Sequence, residues 1–493
     1  MSIHNRGSIE GFTETKNLLD KVSPSFCLAK WNQVTVHLSN GTTHSCHHCK
    51  AHTIPLDELK NNPSALHNTL EKKLTRKQML NGERPKECDF CWRVEDLKEE
   101  GLFSDRIRKS NDVWNNNDIE EVPKLPWDVN ATVRYLELDF SNACNFKCMY
   151  CSPDYSTTWH KEIKEFGPFN NGTTSFNSLR AAERRPQLEE EQNPYIAAFW
   201  KWLPDAVKEL GVIRITGGEP LLSKNTFKLI NYFLENPQPK LRFHVNSNLC
   251  VPEQSINEFI AKAKQLLEEK AVKEITVYTS GEAYAEKSEY IRFGQKYWVW
   301  MKNIEKILKE CPTVRVTCMC TYNALSVSSF TKHIQALHKL VTENAHSKRP
   351  IPISLSVPYL RNPQWLSAWI LTEDYIKYME ESVSYLEHAL CEVKFPGASP
   401  YGAGAADAGI LGEDDAEVLK PGFPEGNLMD LKRGVEVMKK AIRENVGRFR
   451  DVEIDRRAFH TFIDEFDRRR GTSFLSTFPE MAEFYHFCKN EYP

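Results

Sequence analysis

Cys144-Asn145-Phe146-Lys147-Cys148-Met149-Tyr150-Cys151 follows a strand-like run, Val133 to Phe140, so three thiols stand on the loop leaving a strand. Three Cys within eight residues can ligate one iron-sulfur cluster and leave its fourth iron without a protein ligand. A zinc knuckle, or three unrelated buried thiols, is the other reading of that spacing. About one βα unit downstream, Val212-Ile213-Arg214-Ile215-Thr216 reads as a short buried strand and runs into Gly217-Gly218-Glu219-Pro220-Leu221-Leu222. Two glycines let the backbone approach a ligand closely, and Pro220 fixes the direction in which the chain leaves.

The C-x3-C-x2-C spacing, with an aromatic just before the last Cys, resembles the signature of the radical S-adenosylmethionine (radical SAM) superfamily. The Gly-Gly-Glu-Pro turn resembles the element by which those enzymes hold the amino group of SAM. The resemblance implies a 4Fe-4S cluster on Cys144, Cys148 and Cys151 whose open iron is chelated by SAM. An electron from a donor such as flavodoxin or ferredoxin then yields a 5′-deoxyadenosyl radical; the cofactor carries the chemistry and the protein positions and shields it. Gly217, Gly218, Glu219 and Pro220 are implied as SAM contacts. Ser280 and Arg292 resemble the positions at which, in the SPASM/twitch group of that family, a Ser and an Arg often hold the SAM carboxylate, a charge-assisted partnership for the Arg. Tyr150 is expected beside the adenine, mainly through its backbone.

At 493 residues the chain is long enough for two or three domains, and its net charge of −3 gives no global pull toward nucleic acid or membrane. It has no apolar run long enough to span a bilayer, and Met1 to Asn5 starts no signal peptide. A cytoplasmic protein is expected, in which the fourteen Cys stay reduced and clustered Cys are metal ligands rather than disulfides.

Residues 1–110 hold Cys27, Cys46, Cys49, Cys88 and Cys91. Val34 to Leu38, closed by Ser39-Asn40-Gly41, reads as the first half of a hairpin. It can bring a Cys before the first strand toward one after the second. Paired C-x2-C motifs also suit zinc. Beside the radical SAM signature, C-x13-G-x4-C followed by C-x2-C resembles the SPASM/twitch auxiliary-cluster domain. Its shorter twitch form would place a second, auxiliary 4Fe-4S cluster on Cys27, Cys46, Cys88 and Cys91. Cys49 has no place in that pattern, and is either a spare thiol or the ligand instead of Cys46. In the family this domain usually follows the barrel, whereas here it precedes it.

Residues 111–130 read as a Pro-punctuated linker. From 131 to 371, strands expected at 133–140, 212–216, 241–247, 274–280, 313–321 and 352–358 alternate with helical stretches, giving an α/β fold with a parallel sheet. The resemblance makes this a partial (β/α)6 barrel. The strands alternate apolar and polar residues, unlike the continuous apolar runs of a filled barrel. The polar set, with Glu137, Asp139, Arg214, His244, Asn246, Tyr278 and Arg315, is expected to face inward and line a binding cavity. Val314, Val316, Cys318 and Cys320 are expected to face the helices. Residues 152–194 read as a polar insertion, 395–426 as a loop or lid, and 372–493 as a helical extension in which the resemblance stops.

The expectation is a radical SAM enzyme, oxidoreductase-like, that takes a hydrogen atom from a polar substrate, peptide or small molecule, with one auxiliary cluster accepting an electron. A redox-neutral epimerase or rearrangement enzyme is the first rival, and a non-catalytic zinc-binding scaffold is the rival from another class.

Overall fold

Strict alternation of side chains between two environments shapes the central sheet. The computed structural model describes residues 7–99, 101–112, 118–170, 175–176, 192–394, 417–445 and 451–491. Its main strands are β1 (Gln33–His37), β2 (Thr42–His44), β3 (His52–Thr53), β4 (Tyr135–Asp139), β5 (Val212–Thr216), β6 (Gln238–Asn246), β7 (Val272–Ser280), β8 (Arg315–Met319) and β9 (Ile353–Ser356). They pair in the order β9-β8-β7-β6-β5-β4-β1-β2-β3. β4 to β9 are the six strands read from the sequence, all parallel. β1 adds a seventh parallel strand alongside β4, and β2 and β3 continue antiparallel from it.

The helices Pro194–Ala206, Lys224–Glu235, Glu253–Glu268, Tyr297–Glu310 and Phe330–Asn344 occupy the crossovers. The apolar members of each strand pack toward them. Phe243, Val245, Ile275, Val277, Val314, Val316, Cys318 and Cys320 are fully buried and share one core with Leu229, Ile260, Ile304 and Leu337 of those helices. The alternate residues Glu137, Arg214, His244, Tyr278, Arg315 and Thr317 lie on the other face and are only partly buried. Burying them dry without partners would cost about 1–3 kcal/mol each, and they find several partners among themselves. Arg214 donates to Asn246 Oδ1 at 2.9 Å and lies over the Tyr278 ring at 4.1 Å, while Tyr135 donates to Glu137 at 3.1 Å.

The N-terminal region is not set apart from the sheet. All five residues of β1 pair with β4, so the sheet runs across the expected boundary between 1–110 and 131–371. A second, smaller core holds Cys27, Cys49, Cys88 and Cys91 together with Phe26, Trp31 and Trp92. The segment expected as a linker contributes to that core through Ile119 and Val122. Asp118 there binds Arg134 at 2.9 Å and accepts from Asn32 at 2.7 Å. These described residues are packed because their apolar positions have a core to enter, which polarity and prolines alone do not reveal.

The C-terminal helices Ile376–His388, Glu425–Arg443 and Val452–Arg470 follow the helical spacing of their apolar residues. Most of the expected lid, 395–416, and the charge run ending at Glu191 lie outside the described residues. Among the described residues, no helix is long and apolar enough to cross a membrane.

Candidate functional site

The loop Cys144–Cys151 lies beyond the C-terminal end of β4, where parallel α/β sheets present their ligand-binding groups. Two other loops clamp it. On one side, Gly218 N–H donates to Ser141 O at 3.1 Å and Glu219 N–H to Ala143 O at 2.7 Å. A Cβ on Gly217, whose φ is +113°, would lie 2.7 Å from Asp139 Cβ, and one on Gly218 would lie 2.6 Å from Asn142 O. The two glycines were expected to admit a ligand; what meets them here is the backbone leading into the Cys loop. Gly218→Ala should therefore spread the two loops and cost about 1–3 kcal/mol, with lower iron content in the purified protein as the readout. Unchanged iron would show that the clamp is dispensable.

On the other side, Arg292 and Phe293 pair antiparallel with Cys148 and Lys147, and Met149 N–H donates to Ile291 O at 2.9 Å. Trp159 Nε1 donates to Cys148 O at 2.9 Å, and Ser156 Oγ donates to Phe146 O at 2.7 Å. The loop is thus held largely by its backbone.

Arg292 is the residue expected to partner the SAM carboxylate. It is buried, and its Nε and Nη2 both reach Glu282 Oε2 at 2.8 Å. Nη1 stands 3.6 Å from Cys148 Sγ. Tyr150 Oη donates to Glu282 Oε1 at 2.8 Å. Tyr150, Arg292 and Cys148 are therefore brought together around Glu282, two residues past Ser280 at the end of β7. Ser280 itself is half-buried, and its carbonyl accepts from Gln295 at 3.5 Å.

Glu219 is enclosed. It accepts from Leu221 N–H at 2.9 Å, Ser247 Oγ at 2.8 Å and Asn248 N–H at 2.6 Å. Burial outweighs these bonds and pushes its carboxyl up to about 7. Pro220 opens the short 3-10 turn Pro220–Leu222 that ends the motif.

Two residues near the Cys loop carry no sequence signal of this role. Glu282 follows a strand end, a position that suits function but does not name a partner. Arg470, at the end of the helix Val452–Arg470, has a wholly buried side chain that binds Glu162 at 3.1 Å and donates to Lys147 O at 3.1 Å. A basic last turn ordinarily just complements the helix dipole.

The donor set suits an iron-sulfur cluster. Burial, reinforced by the neighbouring Cys148 thiol, pushes Cys144 up to about 12. Burial also raises Cys148, with Arg292 and Arg470 pulling the other way. Three thiols on one loop that burial keeps from ionising alone, with two guanidinium groups near Cys148, suit a cationic metal core that deprotonates them.

The five N-terminal cysteines form a second group at the opposite end of the strands. Cys46 follows β2 level with the start of β1, and Cys27 precedes β1. Cys46 and Cys49 Sγ lie 3.5 Å apart, and Cys49, Cys88 and Glu87 hold their ligand atoms within 4.8 Å of one another. Lys30 Nζ, almost fully buried, stands 3.2 Å from Cys49 Sγ. Between the two groups, His37 Nδ1 meets Asp139 Oδ2 at 2.6 Å and His37 Nε2 meets His44 Nε2 at 3.3 Å. His44 Nδ1 then meets Cys46 O at 2.8 Å. Burial draws His44 down to about 4, so it is neutral at physiological pH.

A family model described as "Radical SAM superfamily" matches residues 138–333. The GTP 3′,8-cyclase of Cronobacter sakazakii (strain ATCC BAA-894) is 30% identical over 105 residues, 21% of this chain and 23% of that protein. The GTP 3′,8-cyclase of Shewanella denitrificans is 32% identical over 108 residues, 22% of this chain and 23% of that protein. The chain thus covers less than a quarter of these curated relatives. Among solved structures, Streptococcus suis SuiB bound to S-adenosylmethionine aligns over 72% of this chain and 69% of that one, at 11% identity and a TM-score of 0.34. The FeFe-hydrogenase maturase HydG from Carboxydothermus hydrogenoformans aligns over 97% and 98%, at 12% identity and a TM-score of 0.28. These are faint likenesses.

Proposed function

We propose, from the radical SAM domain that this chain carries at residues 138–333, that the protein cleaves SAM reductively and oxidises a polar substrate, a peptide or a small molecule, held over the polar face of the sheet. The observation that carries the reading is the clamped loop, which presents Cys144, Cys148 and Cys151 at the C-terminal ends of parallel strands between the Gly217–Glu219 and Ile291–Phe293 segments. When bound there, a 4Fe-4S cluster with SAM supplies the radical that removes a hydrogen atom, and a second cluster can accept an electron.

Cys144, Cys148 and Cys151 would hold the first cluster, with Glu219 and the Gly217–Pro220 backbone toward the SAM amino group. Ser280 and Tyr150 line the same end. Arg292 acts through its ion pair with Glu282, keeping Tyr150 and Cys148 in register and placing positive charge beside the thiolate. Glu137, Arg214, His244 and Tyr278 offer donors and acceptors to a polar substrate. A hydrogen-donating thiol, as an epimerase requires, is not supplied by Cys318 or Cys320, because both face the helices.

Cys27, Cys46, Cys88 and Cys91 would hold the auxiliary cluster, with a cation, Lys30, beside Cys49 in the same group. Cys49→Ala should leave iron content unchanged and Cys46→Ala should lower it; the reverse pattern moves the ligand role to Cys49.

The test of the function is anaerobic incubation of the reduced, cluster-loaded protein with SAM. Formation of 5′-deoxyadenosine, and deuterium transfer into it from labelled peptide or small-molecule candidates, is the expected result. A colourless protein that holds zinc at both cysteine groups and leaves SAM intact would favour the scaffold reading instead.

A further inference from the structure

Strand β8 carries a C-x-C pair, Cys318 and Cys320, continued into the residue just past its end. A period of two puts both thiols on the helix-facing side. His333, on the helix Phe330–Asn344 packed against that side, completes a group of three whose ligand atoms all lie within 4.8 Å of one another, and all three residues are fully buried. The Sγ atoms are 3.7 Å apart, and Cys318 Sγ is 3.8 Å from His333 Nε2. A tetrahedral zinc site with bonds of about 2.3 Å to sulfur and about 2.0–2.1 Å to nitrogen has edges of roughly 3.7 Å for S···S and 3.6 Å for S···N. The observed separations approach those edges.

The surroundings are built for this imidazole. His333 Nδ1 meets Tyr297 Oη at 3.2 Å, so an Nδ1–H donated to that oxygen leaves the Nε2 lone pair aimed at the thiols. Histidine ligands of metals are usually oriented by such an outer partner. The Trp300 ring stacks on His333 at 5.7 Å. Residue 281 must be glycine for this packing, since a Cβ there would lie 2.8 Å from Trp300 and 3.2 Å from His333 Cε1. The Gly281 carbonyl oxygen, 3.4 Å from Cys318 Sγ, is an oxygen donor beside the three.

We propose that Cys318, Cys320 and His333 bind one structural zinc ion, with the Gly281 carbonyl as the fourth donor. Two thiolates cancel the charge of the dication, so the assembly is neutral in a region that tolerates no unpaired charge. Sulfur and imidazole donors in tetrahedral arrangement select zinc over hard cations. The ion ties β8 and its following helix to the loop whose next residue, Glu282, binds Arg292 and Tyr150. It would enter as the chain folds, releasing the two thiol protons. The inference is independent of the SAM reading.

The test uses the full chain, purified anaerobically with its clusters loaded, and measures zinc and iron separately with zinc-edge X-ray absorption. The expected result is about one zinc per chain in a shell of two sulfurs and two nitrogen or oxygen donors. Cys318→Ser/Cys320→Ser and His333→Gln should each lose that zinc while iron is retained. Wild-type protein without zinc, zinc surrounded by four sulfurs, or zinc unchanged in the variants would overturn the proposal. Should the double variant fail to fold, the ligand shell of the wild-type protein still decides.

Discussion

Changing Cys144, Cys148 and Cys151 together to Ala should abolish formation of 5′-deoxyadenosine and leave one cluster's worth of iron and sulfide. The three thiols sit on one loop whose backbone is fixed by hydrogen bonds from Gly218, Glu219, Met149 and Trp159. None of those bonds uses a thiol, so the loop should keep its course when the sulfurs are removed. The N-terminal five-thiol group lies at the other end of the strands and shares no residue with it, so its iron should be unaffected. Iron falling by about half with activity at background is the expected pair of readings. Persistent 5′-deoxyadenosine would assign SAM cleavage to other residues, and loss of all iron would mean the two groups are not independent.

The second large effect should come from a residue that touches no thiol directly. Glu282 is completely buried, and it faces the buried Arg292 and the hydroxyl of Tyr150. Glu282→Ala leaves a guanidinium in the interior without its counter-charge, which costs about 3–5 kcal/mol. Against the roughly 5–15 kcal/mol that holds a typical domain together, this is a large share. The variant should unfold at markedly lower denaturant and bind less iron, because Arg292 also braces the Cys loop through its pairing with Cys148. Removing both charges, as Glu282→Met/Arg292→Met, should recover much of the stability, since it is the unpaired charge that is costly. If the single variant lost less than about 1 kcal/mol, or if the double variant were no better, the pair would not have the role assigned to it.

The alternation within β6, β7 and β8 was legible because a strand has a period of two and its environment differs between faces; Val316 and Cys318 lie among helices while Arg315 and Thr317 do not. The motif loops were legible for a similar reason, since their spacing is local. Cys144 to Cys151 and Gly217 to Pro220 each follow a strand and need no distant residue to be recognised. The joining of β1 to β4 was not legible. A short, buried, alternating strand fits many neighbours, and only the packing of the whole sheet selects one.

What the sequence alone determined, then, is the set of short-range patterns: parallel strands with a polar face, three thiols on a strand-end loop, and further thiols before and after a hairpin. Tertiary structure decided which loops meet. It set Gly217 and Gly218 against residues 139–143, turned Arg292 toward Glu282, carried Arg470 back from the last turn of a distant helix to Lys147 and Glu162, and brought His333 beside Cys318 and Cys320. The physical reason is range. Spacing constrains side chains within a turn or a strand, whereas a buried charge or thiol acquires its partner only when elements far apart in the chain pack and exclude water between them.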